Sequence, residues 1–297
     1  MSASLPFPTA TPIWQGRALL GESPIWSAHR QRLFFVDNHG RRIISCTATG
    51  SDAAEWPMPM RPCWIVERAD GEDVLVGLER EVLTLRLKPG EPAEHGRPIA
   101  WPEPLPEGLR FNDAKADADG RVYCGTMDDA ETAPSGSLHA IAADGTVTHL
   151  DHGYTVSNGP ALSPDGHTLY HTDSPARTIY AFDRDAAGNL SGKHAHIRFA
   201  EADGYPDGMT CDSEGGLWVA HWDGGRVSRF RPDGTLDRAI PVPASRVTSC
   251  CFCGPDLDRL AITTAAYERM EEPLAGALFV VSPGCHGLPA HRYGLAS

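Results

Sequence analysis

Three features of the sequence predict an all-β fold, a six-bladed β-propeller. Short apolar runs recur at near-constant spacing along the chain. A polar, glycine-containing turn precedes most of them. No long segment shows the 3.6-residue apolar period of an amphipathic helix.

The runs begin at Leu33, Leu75, Val122, Leu169, Leu217 and Leu260, so successive starts lie 42, 47, 47, 48 and 43 residues apart. The preceding turns include Asp70-Gly71, Asp119-Gly120, Pro164-Asp165-Gly166 and Ser213-Glu214-Gly215. Glycine in these turns supplies the positive φ that a tight connection between strands needs. A second strand is expected after each run: Arg42–Ser45, Val82–Leu85, Ser137–Ile141, Thr178–Phe182, Arg226–Phe230 and Ala277–Val281. Turns such as Ala143-Asp144-Gly145 and Pro232-Asp233-Gly234 then lead into one more strand, as in Thr146–Leu150. Repeating units of about four short strands build a propeller, because radial repetition leaves only short, protected sheet edges. A pair of β-sandwiches would need a linker near the middle of the chain. The Pro-rich patch Trp101–Pro106 is too short for that and lies between repeats, so it reads as an inter-blade loop. Residues 1–297 are read as a single domain with a propeller core over about 14–285.

Composition narrows the function. The chain has 297 residues, 41% of them hydrophobic, and a net charge of −13, which suits a globular protein with a large core. An acidic chain without a Lys/Arg cluster is a poor binder of nucleic acid or anionic membrane. No stretch approaches the ~18 apolar residues of a membrane-spanning helix. The start of the chain lacks a basic segment followed by an apolar run, so no signal peptide and a cytoplasmic location are expected. The eight cysteines form no C-x-x-C pair and are expected as reduced, buried thiols. Cys251 and Cys253 are spaced more closely than zinc sites usually require.

The repeat places six residues in phase. Ten or eleven positions upstream of the runs stand Glu22, Trp64, Asn112, Asn158, Asp207 and Ser249. On the innermost strands of a propeller, equivalent positions form a ring around the axis. Polar groups at a channel mouth are costly unless something satisfies them. Two carboxylates with amide carbonyls are a hard-oxygen donor set for a cation. Taken singly, Glu22, Asn158 and Asp207 read as ordinary turn or loop residues and Arg110 and Asn112 as surface polar ones; the shared phase lifts them above that.

Several motifs resemble one family. They are Gly21-Glu22-Ser23-Pro24 with Trp26, Arg110-Phe111-Asn112-Asp113, Gly125-Thr126-Met127, Ser157-Asn158-Gly159, Tyr170-x-Thr172-Asp173-Ser174, Tyr205-Pro206-Asp207-Gly208-Met209, Leu217-Trp218-Val219, Gly224-Gly225-Arg226-Val227 and Thr248-Ser249-Cys250-Cys251-Phe252. In this order they resemble the senescence-marker-protein/gluconolactonase family that includes regucalcin. The resemblance implies a six-bladed propeller with one divalent metal in the central channel, held by Glu22, Asn158 and Asp207. Its identity among Ca, Zn, Mn, Mg and Fe is left open. The resemblance also implies that Arg110 and Asn112 donate hydrogen bonds to a sugar substrate. A further substrate carboxylate follows Gly125-Thr126-Met127. There Asp129 and Glu131 compete, and the Thr132-Ala133-Pro134 that follows favours Glu131. Cys253 stands where the family often has glycine.

These readings converge on a metal-dependent hydrolase that opens a sugar lactone, a pentono- or hexonolactone, to the aldonic acid. Asp207 is the candidate general base. No G-x-S-x-G elbow is present, which disfavours a serine esterase. The alternative is a non-catalytic, calcium-binding or regulatory propeller. The expected partner is a small sugar lactone; the sequence does not reveal the oligomeric state.

Overall fold

The computed structural model describes residues 9–295. Six four-stranded antiparallel sheets account for its 24 strands, one sheet per blade. Blade 1 is built from β2 (Gly21–Ser27), β3 (Arg32–Asp37), β4 (Arg42–Cys46) and β5 (Ala54–Pro57). Blade 2 follows with β6 (Pro62–Glu67), β7 (Asp73–Leu78), β8 (Val82–Arg86) and β9 (Glu94–Pro98). Blade 3 contains β10 (Leu109–Ala116), β11 (Val122–Asp128), β12 (Gly136–Ile141) and β13 (Val147–Tyr154). Blade 4 contains β14 (Ser157–Leu162), β15 (Thr168–Asp173), β16 (Thr178–Arg184) and β17 (Leu190–Arg198). A 3-10 turn, Glu201–Asp203, leads into blade 5: β18 (Tyr205–Cys211), β19 (Leu217–Trp222), β20 (Arg226–Phe230) and β21 (Leu236–Pro241). Blade 6 takes β22 (Val247–Cys253), β23 (Arg259–Thr264) and β24 (Leu278–Val281), and its outermost strand is β1 (Thr11–Trp14) from the start of the chain. The first strand therefore closes the ring on the last, a pairing the repeat pattern does not reveal.

The expected runs are the second strands of the blades, and the expected second strands are the third. The turns behave as glycine demands: Gly71, Gly120, Gly166 and Gly215 have φ of 76°, 76°, 71° and 82°. An acid repeats there as well. Asp70, Asp117 and Asp212 each accept backbone N–H groups from two to four residues on, closing an Asx-type turn. The apolar faces pack between blades: Trp218, Val227 and Ile240 of blade 5 join Phe252, Ile262 and Phe279 of blade 6 in one cluster.

All eight cysteines are free and buried, as the composition suggested. No helix among the described residues is long and apolar enough to cross a membrane.

The six innermost strands run side by side, so their first halves define one mouth of the channel and their last halves the other. A segment after Cys285 crosses the second mouth. Gly287 N–H donates to Leu257 O (2.8 Å), Tyr293 N–H to Glu67 O (2.8 Å) and Gly294 N–H to Gly120 O (2.9 Å). Leu288–His291 close a small cavity of about 90 Å³ against Trp26, Lys115, Thr210 and Phe252. The packed chain thus extends on both sides of the 14–285 span read from the repeat.

Candidate active site

All six in-phase residues lie on innermost strands: Glu22 on β2, Trp64 on β6, Asn112 on β10, Asn158 on β14, Asp207 on β18 and Ser249 on β22. Every one of these strands carries a register shift, and in four of them it falls at this residue. In blade 1 the pairing passes from Glu22↔Val36 to Ile25↔Phe34, and in blade 4 from Asn158↔Thr172 to Ala161↔Tyr170. Three residues advance on the inner strand against two on its partner, which is a β-bulge. Blades 3 and 5 show the same step, from Phe111 to Ala114 and from Pro206 to Met209. A bulge bends the strand and re-aims a side chain, here toward the mouth.

Blades 2 and 6 differ. Their shifts fall earlier, from Pro62 to Trp64 and from Val247 to Ser249. Trp64 is fully buried in a cluster with Leu75, Phe111 and Val122, and Ser249 is buried against Gly208. Neither lines the mouth. The expected ring of six is therefore a group of four, because the bulge that turns the side chain toward the axis sits differently in two blades.

The four share one cavity of about 370 Å³, lined also by Leu20, Arg110, Glu131, Val156, Ser174, Pro175, Tyr205 and Trp222. That volume is within the range of small-molecule sites. Hydrogen bonds fix which atoms of the amides are free. Asn158 Nδ2 donates to Ser174 Oγ (2.9 Å), so its Oδ1 faces Asn112. Asn112 Nδ2 donates to that Oδ1 (2.8 Å) and to Ser157 O (2.8 Å), while Asn112 Oδ1 accepts from Arg110 Nη1 (2.8 Å). Ser174 Oγ in turn donates to Pro206 O (2.7 Å), beside Asp207. Asn112 as bonded here has spent both N–H donors and keeps an acceptor lone pair. Arg110 also donates Nε–H to Asp129 Oδ1 (2.8 Å) and Nη1–H to Phe111 O (3.0 Å), leaving its two Nη2 hydrogens uncommitted.

The acids are under strain. Asp207 is 5% exposed, and its Oδ1 has no hydrogen-bond partner. Burial, then the nearby Asp113, pushes its pKa well above the usual value. Burial and the charges of Asp207 and Asp113 push Glu22 up in the same way. Burial raises Asp113 to about 6. Three carboxyl groups close together in one low-dielectric region resist ionisation. Asp113, in the motif Arg110-Phe111-Asn112-Asp113, has no role that the sequence points to; it lies within the bulge beside Asn112. Tyr205 and Ser174 belong to motifs that assign them no role, Trp222 belongs to none, and only the shared cavity brings the three together.

The structure separates the two acids of the blade 3 loop. Asp128 Oδ2 accepts from Thr132 N–H (2.8 Å), Thr132 Oγ1 (3.1 Å) and Ala133 N–H (3.0 Å), folding the loop back on itself. Glu131 takes φ of 57° in this turn and lines the cavity. Asp129 does not; it faces Arg61 and Arg110.

The residues that could hold a cation are Glu22, Asn158 and Asp207. No group of three or more His, Cys, Asp or Glu side chains in metal-binding geometry occurs among the described residues, since this set is two carboxylates and an amide.

Comparison with known proteins gives the lineage. Residues 20–266 match the family described as SMP-30/Gluconolactonase/LRE-like region. The chain belongs to this SMP-30/gluconolactonase family. Relatives within reach of it include Pentonolactonase XacC of Haloferax volcanii, 36% identical over 96% of this chain and 98% of that protein. L-arabinolactonase of Azospirillum brasilense is 31% identical over 96% and 95%. Regucalcin of Gallus gallus is 31% identical over 93% and 95%. Among solved structures, a luciferin-regenerating enzyme superposes with a TM-score of 0.89 at 29% identity, covering 97% of this chain and 100% of that one. The SMP-30/gluconolactonase propeller is thus matched along nearly its whole length.

Proposed function

We propose that this protein is a metal-dependent sugar lactonase. It hydrolyses the internal ester of a pentono- or hexonolactone to the aldonic acid. The observation that carries this reading is the single cavity in which the cation-binding set Glu22, Asn158 and Asp207 meets Arg110, Asn112 and Glu131. The names of the lactonase relatives support it.

The donor set fits a divalent cation. Asp207 Oδ1 is buried and bare, Asn158 presents Oδ1 rather than its amide nitrogen, and Glu22 and Asp207 are held reluctant to ionise. A hard cation satisfies all three, and oxygen-only ligands suit Ca²⁺, Mg²⁺ or Mn²⁺ best. When bound, the ion supplies positive charge against the oxyanion that develops at the lactone carbonyl.

The chain's own residues do the rest. Arg110 offers its uncommitted Nη2 donors to sugar oxygens. Asn112 accepts from a hydroxyl through the free lone pair of Oδ1, and Glu131 accepts from another at the rim. Asp207 takes the proton of the attacking water as the water oxygen bonds to the carbonyl carbon. The ring C–O bond then breaks, and the departing oxygen takes up the proton that Asp207 accepted, which makes it a hydroxyl and restores the carboxylate.

The test is acid release over a panel of pentono- and hexonolactones, with and without chelator. Wild-type protein turns over at least one of them and loses activity with EDTA. Asp207→Asn and Glu22→Gln stay folded and inactive. Full activity of either variant after chelation and metal readdition sinks the assignment. Cation binding without turnover of any lactone would instead favour a calcium-binding role, as the regucalcin name of some relatives suggests.

A further inference from the structure

Asp129 stands two residues from Glu131 but is tied up elsewhere. Its Oδ1 accepts from Arg110 Nε (2.8 Å), and both its oxygens lie 2.9 Å from Arg61 Nη2. Arg61 also donates to Glu79 Oε1. Burial pushes the Asp129 carboxyl up, but Arg61 and Arg110 outweigh it and hold its pKa below the usual value. Arg61 and Glu79 flank the inner and second strands of blade 2; Asp129 follows β11, and Arg110 is on β10 of blade 3. Asp129 N–H further donates to Gly108 O (2.8 Å), just before β10. One carboxylate therefore joins two blades, the substrate loop and the Arg110 guanidinium.

We propose that Asp129 and Arg61 are positioning residues for Arg110, a brace that sets the guanidinium for substrate without touching substrate. The argument is one of charge and geometry. Arg110 is 5% exposed, so its orientation is fixed by its partners rather than by water. A planar guanidinium held at Nε and Nη1 has one remaining edge, Nη2, and its direction follows from the other two. Asp129 holds Nε, and Asn112 with Phe111 O holds Nη1. Asp129 is also the anion that Arg61 and Arg110 share. Without it, two cations face each other across the blade boundary, and Arg110 turns away. Because Asn112 accepts from Arg110 and donates to Asn158 Oδ1, that turn also disturbs Asn158. Asp129 and Glu131 thus divide one loop between support and contact.

The kinetic part of the test rests on the lactonase reading; the spectroscopic part does not. Asp129→Ala is expected to raise KM for a lactone substrate about 10- to 100-fold, with a smaller change in kcat. Arg61→Met acts in the same direction. In the double variant Asp129→Ala/Arg110→Ala, the loss equals that of Arg110→Ala alone, because the brace has nothing left to hold. Losses that multiply instead overturn the proposal. Independently, the Arg110 Nε–H resonance in proton–nitrogen NMR spectra, assigned by its disappearance in Arg110→Lys, exchanges slowly in wild-type protein. It exchanges fast in Asp129→Ala and stays slow in Glu131→Gln. An unchanged, slow Nε–H in Asp129→Ala overturns the proposal whatever the kinetics show. If wild-type protein turns over no lactone in the panel, the functional reading fails while this measurement still decides the brace.

Discussion

Asp207 meets two conflicting demands. In the proposed reaction its carboxylate must accept a proton, yet it is buried beside Glu22 and Asp113 with one oxygen bare. An amide at this position removes the charge that burial opposes. Asp207→Asn should therefore lower kcat/KM by about 10²- to 10⁴-fold, the usual worth of a general base. In chelator it should melt above wild-type protein, because the metal-free state no longer holds that buried acid. A lower melting temperature for the variant in chelator would show that Asp207 is not strained. Glu22, Asn112, Asn158 and Asp207 were legible in the sequence because the repeat fixed their phase. Between Asp129 and Glu131 the sequence offers only the Thr132-Ala133-Pro134 that follows, which favours Glu131. Both are acids in one loop, and what separates them is a turn closed by Asp128 and a residue at positive φ. Neither is visible as a pattern. The free donors of Arg110 and the spent donors of Asn112 depend on partners in blades 3 and 4 that are far apart in sequence.

At the scale of the strand, the site is a product of bulges. Four inner strands add one residue at the same phase, which turns Glu22, Asn112, Asn158 and Asp207 to the mouth. The sequence shows the phase of a position but not whether its strand is bulged, so it puts Trp64 and Ser249 in phase with a ring they do not join. The bulge also demands space. A Cβ on Gly208 would lie 2.2 Å from Ser249 Oγ, 2.5 Å from Ser249 Cβ and 3.0 Å from Ser249 Cα. The glycine after Asp207 thus serves close packing of blades 5 and 6. Gly208→Ala should cost about 1–3 kcal/mol, as overpacking does, read from a shift in the urea midpoint at unchanged slope. Adding Ser249→Gly should restore part of that loss. An unshifted midpoint in Gly208→Ala would mean that the two inner strands separate freely.

For the whole molecule, stability and closure of the ring are the issue. His171 is fully buried between Ser157 Oγ (2.9 Å from Nε2) and the Tyr154 ring, and burial lowers its pKa to about 3. Burial likewise lowers His221 to about 4. Below the unfolded pKa near 6.5, the unfolded chain binds protons that the folded one refuses. Stability is therefore full above that pH and falls as pH drops toward 4, by up to about 1.4 kcal/mol per pH unit for each histidine. Denaturant titrations across this window should show the slope, and His171→Gln should reduce it; an equal slope in the variant would rule His171 out as its source. The segment after Cys285 makes a second global contact. Cys211 and Cys251 line the cavity it covers and are buried. Removing residues 286–297 should let a thiol reagent reach them, whereas the full chain protects them; equal protection would show that the inner strands alone seal that end.

The sequence by itself determined the blade count, the second and third strands of each blade and the phase of the site. These follow from local alternation, turn glycines and spacing, which each unit carries independently. Only the tertiary structure decided three further matters: that β1 completes blade 6, that the segment after Cys285 crosses the far mouth, and that four of six in-phase side chains reach the cavity. Each depends on pairing between distant segments or on a one-residue bulge, and a short-range repeat encodes neither.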